Sequence, residues 1–167
     1  MFKKIVLFVL VMFPVAIFAQ ESQKIAYVNY IDVIVAMPEY KQMQDTLKKN
    51  ENVFQTELKI LSDEYTKKLS DYVEQRESLN ESIKLRREQE LEDIRQRAES
   101  FQQYASQKQE EAQQAMIVPI QNKLQKAIDD VGRENNFLYI VNSQAFLYTS
   151  PNAVDATPLI KKKLGIQ

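Results

Sequence analysis

The side chains that most often carry chemistry are missing from this chain of 167 residues, which has no His and no Cys. That removes the usual general base near neutral pH, the thiolate nucleophile and the common zinc sites. Its 23 Asp and Glu residues lie mostly in long polar stretches, where carboxylates form a solvated face rather than a general acid–base pair. Two isolated glycines, Gly132 and Gly165, allow no phosphate-binding loop. The chain is therefore read as a non-enzyme, with no catalytic residue, no cofactor and no metal.

What remains is contact chemistry. The run KLRREQELEDIRQR, residues 84–97, is densely charged. Arg76, Lys84, Arg86 and Arg87 could form a basic patch for acidic lipid or a bound polypeptide. The simpler reading is helix-surface solvation through i,i+4 pairs such as Glu92 with Gln96 and Asp93 with Arg97. The aromatic residues Phe54, Tyr65, Tyr72 and Phe101 fall at helical spacing and read as packing residues. Tyr104 lies beside that line and is the better candidate for a surface contact.

The elements that must position these residues are long. From Glu39 to Ser78 there is neither Gly nor Pro, and the apolar residues Tyr40, Met43, Leu47, Phe54, Leu58, Leu61, Tyr65, Leu69 and Tyr72 recur three, four or seven apart. This is a heptad-like seam along a helix. Pro38 suits its first position and Glu39 the positive end of its dipole. The stretch around 78–82 interrupts the pattern with Asn80 and Ser82, both turn and cap residues. A second helix over 81–134 carries Leu91, Ile94, Ala98, Phe101, Ala105, Ala112 and Ala115, then Met116, Ile120, Leu124, Ile128 and Val131. Folded back at the tip, the seams pair Leu69 with Leu91, Leu58 with Phe101 and Ala105, and Met43 with Met116 and Ile120. The hairpin forms an arm over 38–118. Pro119 sits inside the second helix as the arm's hinge, where a kink or a break is expected.

The two ends of the hairpin carry the apolar strands. KIAYVNY (24–30), FLYIVN (137–142) and AFLYTS (145–150) read as strands, the last two as a hairpin around Ser143 and Gln144. A short helix closes the chain, with Thr157 as its cap, Pro158 at its first position and lysines late. The fold class is mostly α with a small β body: a long antiparallel helical hairpin on a short antiparallel sheet. Residues 20–37 and 119–167 make the body, with Ile25, Tyr27, Val28, Leu138, Ile140, Phe146 and Tyr148 as its core. Ile31, Val33, Ile34 and Leu159 are further core candidates. Three short strands leave edges and faces that other subunits should cover.

The first residues give the compartment. MFKK, an apolar run broken by Pro14 and the small Ala19 match a secretory signal peptide over 1–19. The apolar run is shorter than the ~20 residues of a membrane-spanning helix, so no stable membrane insertion is expected after its removal. Without Lys3 and Lys4 the chain holds 20 basic and 23 acidic side chains, a mild charge of about −3 that speaks against a nucleic-acid binder.

This layout resembles the Skp/OmpH family of periplasmic chaperones. The resemblance rests on KIAYVNYIDVIVAMPEYK leading into the arm, VPIQNKLQKAIDDVGRENNFLYIVNS leading out of it, and DATPLIKKKLG at the end. It implies a periplasmic homotrimer whose bodies join into a β-rich core. Three arms then project around a cavity that holds unfolded outer-membrane proteins without nucleotide. The chain departs from the family's strongly basic members in being mildly acidic. A structural or adaptor coiled coil of the cell envelope is the alternative.

Overall fold

The structure, a computed structural model, describes residues 24–166; the expected signal peptide over 1–19 lies outside them. Strand β1 is Lys24–Val28, helix α1 is Tyr30–Ala36 and helix α2 is Pro38–Gln75. A 3-10 turn at Arg76–Ser78 leads to helix α3, Glu81–Glu134. Strand β2 is Phe137–Asn142, a second 3-10 turn is Ser143–Ala145, strand β3 is Val154–Asp155 and helix α4 is Thr157–Leu164.

The helical hairpin forms as its seams require. α2 has 38 residues and α3 has 54, so the arm rises roughly 57 Å along α2 at ~1.5 Å per residue. Asn80 caps α3, its side chain accepting from the Ile83 backbone N–H at 3.0 Å. Met43, Met116 and Ile120 meet in one cluster at the arm's root, and Phe54 meets Phe101 edge-on at 6.1 Å. α3 runs unbroken through Pro119; the expected break into two helices is absent, because Ile120, Leu124, Ala127 and Val131 keep one buried stripe continuous into the body. The helix continues two residues past Gly132, and Asn136, at φ 53°, makes the left-handed turn into β2.

The sheet corrects the sequence reading. Its order is β2-β1-β3 and both pairings are parallel. The AFLYTS segment is not a strand. The Asn142 side chain accepts from the Gln144 N–H at 3.2 Å, and this local turn sends the chain outward instead of reversing it. The chain then crosses β1 and pairs on its far edge through Val154 and Asp155. A central β1 with a crossover to each neighbour permits parallel strands.

The body's core differs too. Within β1 it is Ala26 and Val28 that face inward, so of the expected core Val28, Val33 and Ile34 are buried and Ile140 is partly so. Tyr27 is half-buried. Ile25, Ile31, Leu138, Phe146, Tyr148 and Leu159 are exposed within the single chain. The fully buried side chains are Met37, Leu124, Ile160, Val33 and Val131. Met37, extended between α1 and α2, plugs this core and fixes the point where the arm leaves it. Thr157 does not cap α4; Ala156 holds that position. Its hydroxyl instead accepts from the Asn29 N–H at 2.9 Å, tying the end of β1 to α4. Gly165, at φ 72°, closes α4 with the Ile166 N–H bonded to Lys161 O.

Candidate functional site: the arm and the open sheet face

Two surfaces could act on another molecule. The first is the outer face of the sheet. Alternation in β1 turns Ala26 and Val28 to the core and therefore Ile25 and Tyr27 outward. Their partners in β2 are Tyr139 and Val141. Ile25 is 54% exposed and Tyr139 60%. A β-bulge between Lys24 and Ile25 leaves Leu138, 46% exposed, beside them. Phe146, Leu147 and Tyr148 follow, all exposed. Parallel sheets are normally covered on both faces, and exposed apolar groups of this kind mark interaction surfaces.

The second surface is the arm. Its helices are joined across the seam by polar links. At the root Lys123 pairs with Glu39, whose carboxyl is held below its usual range by that hydrogen bond first. Higher up, Gln109 donates to the Leu47 carbonyl at 3.0 Å. Toward the tip Arg97 meets Glu64 at 3.2 Å, Lys68 meets Glu90 at 3.2 Å, and the Tyr72 hydroxyl donates to Glu88 at 2.5 Å. Glu90 also receives Arg86 and Arg87. Lys68, then Arg86 and Arg87, hold its carboxyl at about 2. Glu92 is likewise held at about 2 by Arg95 and then Gln96.

The residues singled out in sequence fall as follows. Lys84 pairs with Glu81 at 2.8 Å, and Arg86 and Arg87 share Glu90, so three of the four basic tip groups sit against carboxylates. Arg76 opens the tip turn, close enough to Tyr72 to act on its hydroxyl. The Glu92–Gln96 pair forms at 2.9 Å, whereas Arg97 reaches across to Glu64 instead of back to Asp93. Tyr104 is 51% exposed, with its ring 6.2 Å from Phe101 and the Lys108 ammonium 5.9 Å from its centroid. Pro119 is exposed, just below the point where Met116 and Ile117 join the core. The sequence reading passes over Tyr139 and Leu147, which lie exposed among Leu138, Phe146 and Tyr148.

Among the described residues no group of His, Cys, Asp and Glu could hold a metal ion, and no helix is long and apolar enough to cross a membrane. The surface depressions are shallow grooves along the arm and beside β2, one of them lined by Phe54, Leu58, Ala105 and Gln109.

Residues 24–164, nearly all of the described chain, match the family described as outer membrane protein (OmpH-like). The chain belongs to the OmpH family. Among solved structures, it is similar to a candidate OmpH-like outer membrane chaperone from Caulobacter crescentus CB15, with a TM-score of 0.74 at 12% identity over 84% of this chain and 82% of that one. At that identity the likeness shows a shared OmpH-like fold. No curated protein matches the sequence.

Proposed function

We propose that this OmpH family member is a periplasmic, ATP-independent holdase. It assembles as a homotrimer through the open sheet face and holds unfolded outer-membrane proteins between its arms until they reach the outer membrane. The observation that carries this reading is the division of the chain into a body with an uncovered apolar sheet face and a long arm with a sparsely buried seam. Three such bodies, joined through Ile25, Tyr27, Leu138, Phe146 and Tyr148, leave the arms free to enclose a guest. Weak contacts spread along an arm suit a guest without fixed sequence. Tyr104 is the contact that the geometry favours on the arm, and Pro119 the hinge at its root. Of the tip residues Arg76, Lys84, Arg86 and Arg87, the last three serve mainly to pair with carboxylates.

The test is dilution of an unfolded outer-membrane barrel protein with and without this protein, followed by light scattering. Suppressed scattering is expected at a slight molar excess of trimer. Equal scattering in both samples rejects the holdase reading and leaves an envelope adaptor.

A further inference from the structure

We propose that the arm contains a bending joint halfway along its length, distinct from Pro119, formed by residues 48–60 of α2 facing residues 98–108 of α3. Two independent observations, burial and cross-linking, place it there.

The first is burial. Above this segment Leu61, Tyr72, Leu91 and Ile94 are all buried, and below it Met43 and Ile120 are. Within 48–60 no residue of α2 is buried, and within 98–108 of α3 only Ala105 is. Phe54, Leu58 and Phe101 are only partly buried there, beside the groove that Ala105 fails to fill. Little apolar area then resists opening, at ~25 cal/mol per Å².

The second is the pattern of polar links. Glu39–Lys123 and Leu47–Gln109 lie below the segment. Glu64–Arg97, Lys68–Glu90 and Tyr72–Glu88 lie above it. Among the described residues, no hydrogen bond or ion pair joins the two helices between Leu47 and Glu64.

The backbone does not distinguish the segment. Asn50, Asn52, Val53 and Thr56 are weak helix formers, as Ser70, Asp71, Tyr72 and Val73 are in the outer half. The bond from the Thr56 hydroxyl to the Asn52 carbonyl at 2.8 Å recurs at Thr46 and Thr66, so burial and cross-links, not the backbone, single out this segment.

The arm is thus clamped at its root and in its outer half, with a soft section between. The outer half swings as one unit. This is a property of the free arm and stands apart from what the arms hold.

Native-state amide exchange of the unmodified protein, with no guest present, tests it. Residues 48–60 and 98–108 should exchange at least about tenfold faster than 64–75 and 88–97, although the latter lie farther from the body. The substitutions Asn52→Ala and Thr56→Ala, both at exposed positions, should slow exchange in the segment several-fold and leave the outer half unchanged. Protection that falls steadily from root to tip, as in ordinary fraying, overturns the proposal. So does a segment whose exchange ignores the two substitutions.

Discussion

Tyr72, on the helix leaving the body, gives its hydroxyl proton to Glu88 on the returning helix at 2.5 Å, close to the point where the chain reverses. The bond joins residues sixteen apart in sequence and spans the tip turn like a bolt. The ring of Tyr72 is buried in the seam, which holds the hydroxyl in line with its acceptor.

Tyr72→Phe keeps the ring and loses this bond. Amide exchange in 68–75 and 84–91 should rise several-fold, while thermal unfolding of the body stays where it was. Exchange spectra compared peptide by peptide would show it. The bond needs the neutral phenol, and its acceptor raises the Tyr72 pKa above 10.0. Its contribution is therefore whole below pH 10 and is lost as the pH climbs through the raised value.

Acid acts on the same region from the other side. Glu90 and Glu92 are held at about 2, against an ordinary value of 4.5. A lowered pKa adds stability above the unfolded value, and that stability is lost as pH falls toward the folded one. The outer arm should hold its helicity down to about pH 4.5 and loosen progressively toward pH 2. Carboxyl chemical shifts of Glu90, followed by titration, give the midpoint directly. In Glu90→Gln the acid transition should be shallower.

Leu124 is completely buried where α3 enters the body. Leu124→Ala should cost about 2–5 kcal/mol of unfolding free energy, measured by denaturant titration. The same change at Leu85, which is exposed near the tip, should fall within ~0.5 kcal/mol.

Ile25 and Tyr139 face each other across the open sheet surface. If that surface joins subunits, replacing both by Lys places charges inside the joint and should yield monomers, with arm helicity retained. Native mass spectrometry together with circular dichroism separates this outcome from unfolding. Deleting 60–100 should have the opposite effect, leaving a trimer that no longer suppresses aggregation.

Pro119 lacks the N–H that would bond one turn back. Pro119→Ala should close that gap and stiffen the arm root, narrowing the distance distribution between spin labels on body and arm. The natural absence of Cys makes such labelling site-specific. An unchanged distribution assigns the arm's motion elsewhere.

The helices were legible in the sequence because their seams are periodic and their ends are marked: Pro38 at the start of α2, Asn80 before α3, Gly165 after α4. The sheet was not. A run such as FLYIVNSQAFLYTS reads as a hairpin because apolar segments flank a polar turn, and nothing local reveals that β1 will take the position between them. Strand direction here is set by the crossover over β1, a long-range matter. The inward face of β1 was half read: Val28 was expected in the core and is, but Ile25 and Tyr27 are larger than Ala26, and it is Ala26 that joins Val28 in the buried cluster. The exposure of Tyr104 could be picked from its place beside the seam. The cross-helix partners Glu64 and Glu88 could not, since their register depends on where the tip turns.

The position of β1 at the centre of the sheet also orders events in time. β1 is made first, but both of its partners lie beyond the helical arm, at Phe137–Asn142 and Val154–Asp155. The arm's contacts close locally around the tip, whereas β1 must wait for more than a hundred residues, and such distant pairings form late. A chain interrupted anywhere before Phe137 can build an arm but never a sheet. The outer sheet face then does not exist, so if that face joins copies, association is reserved for finished chains.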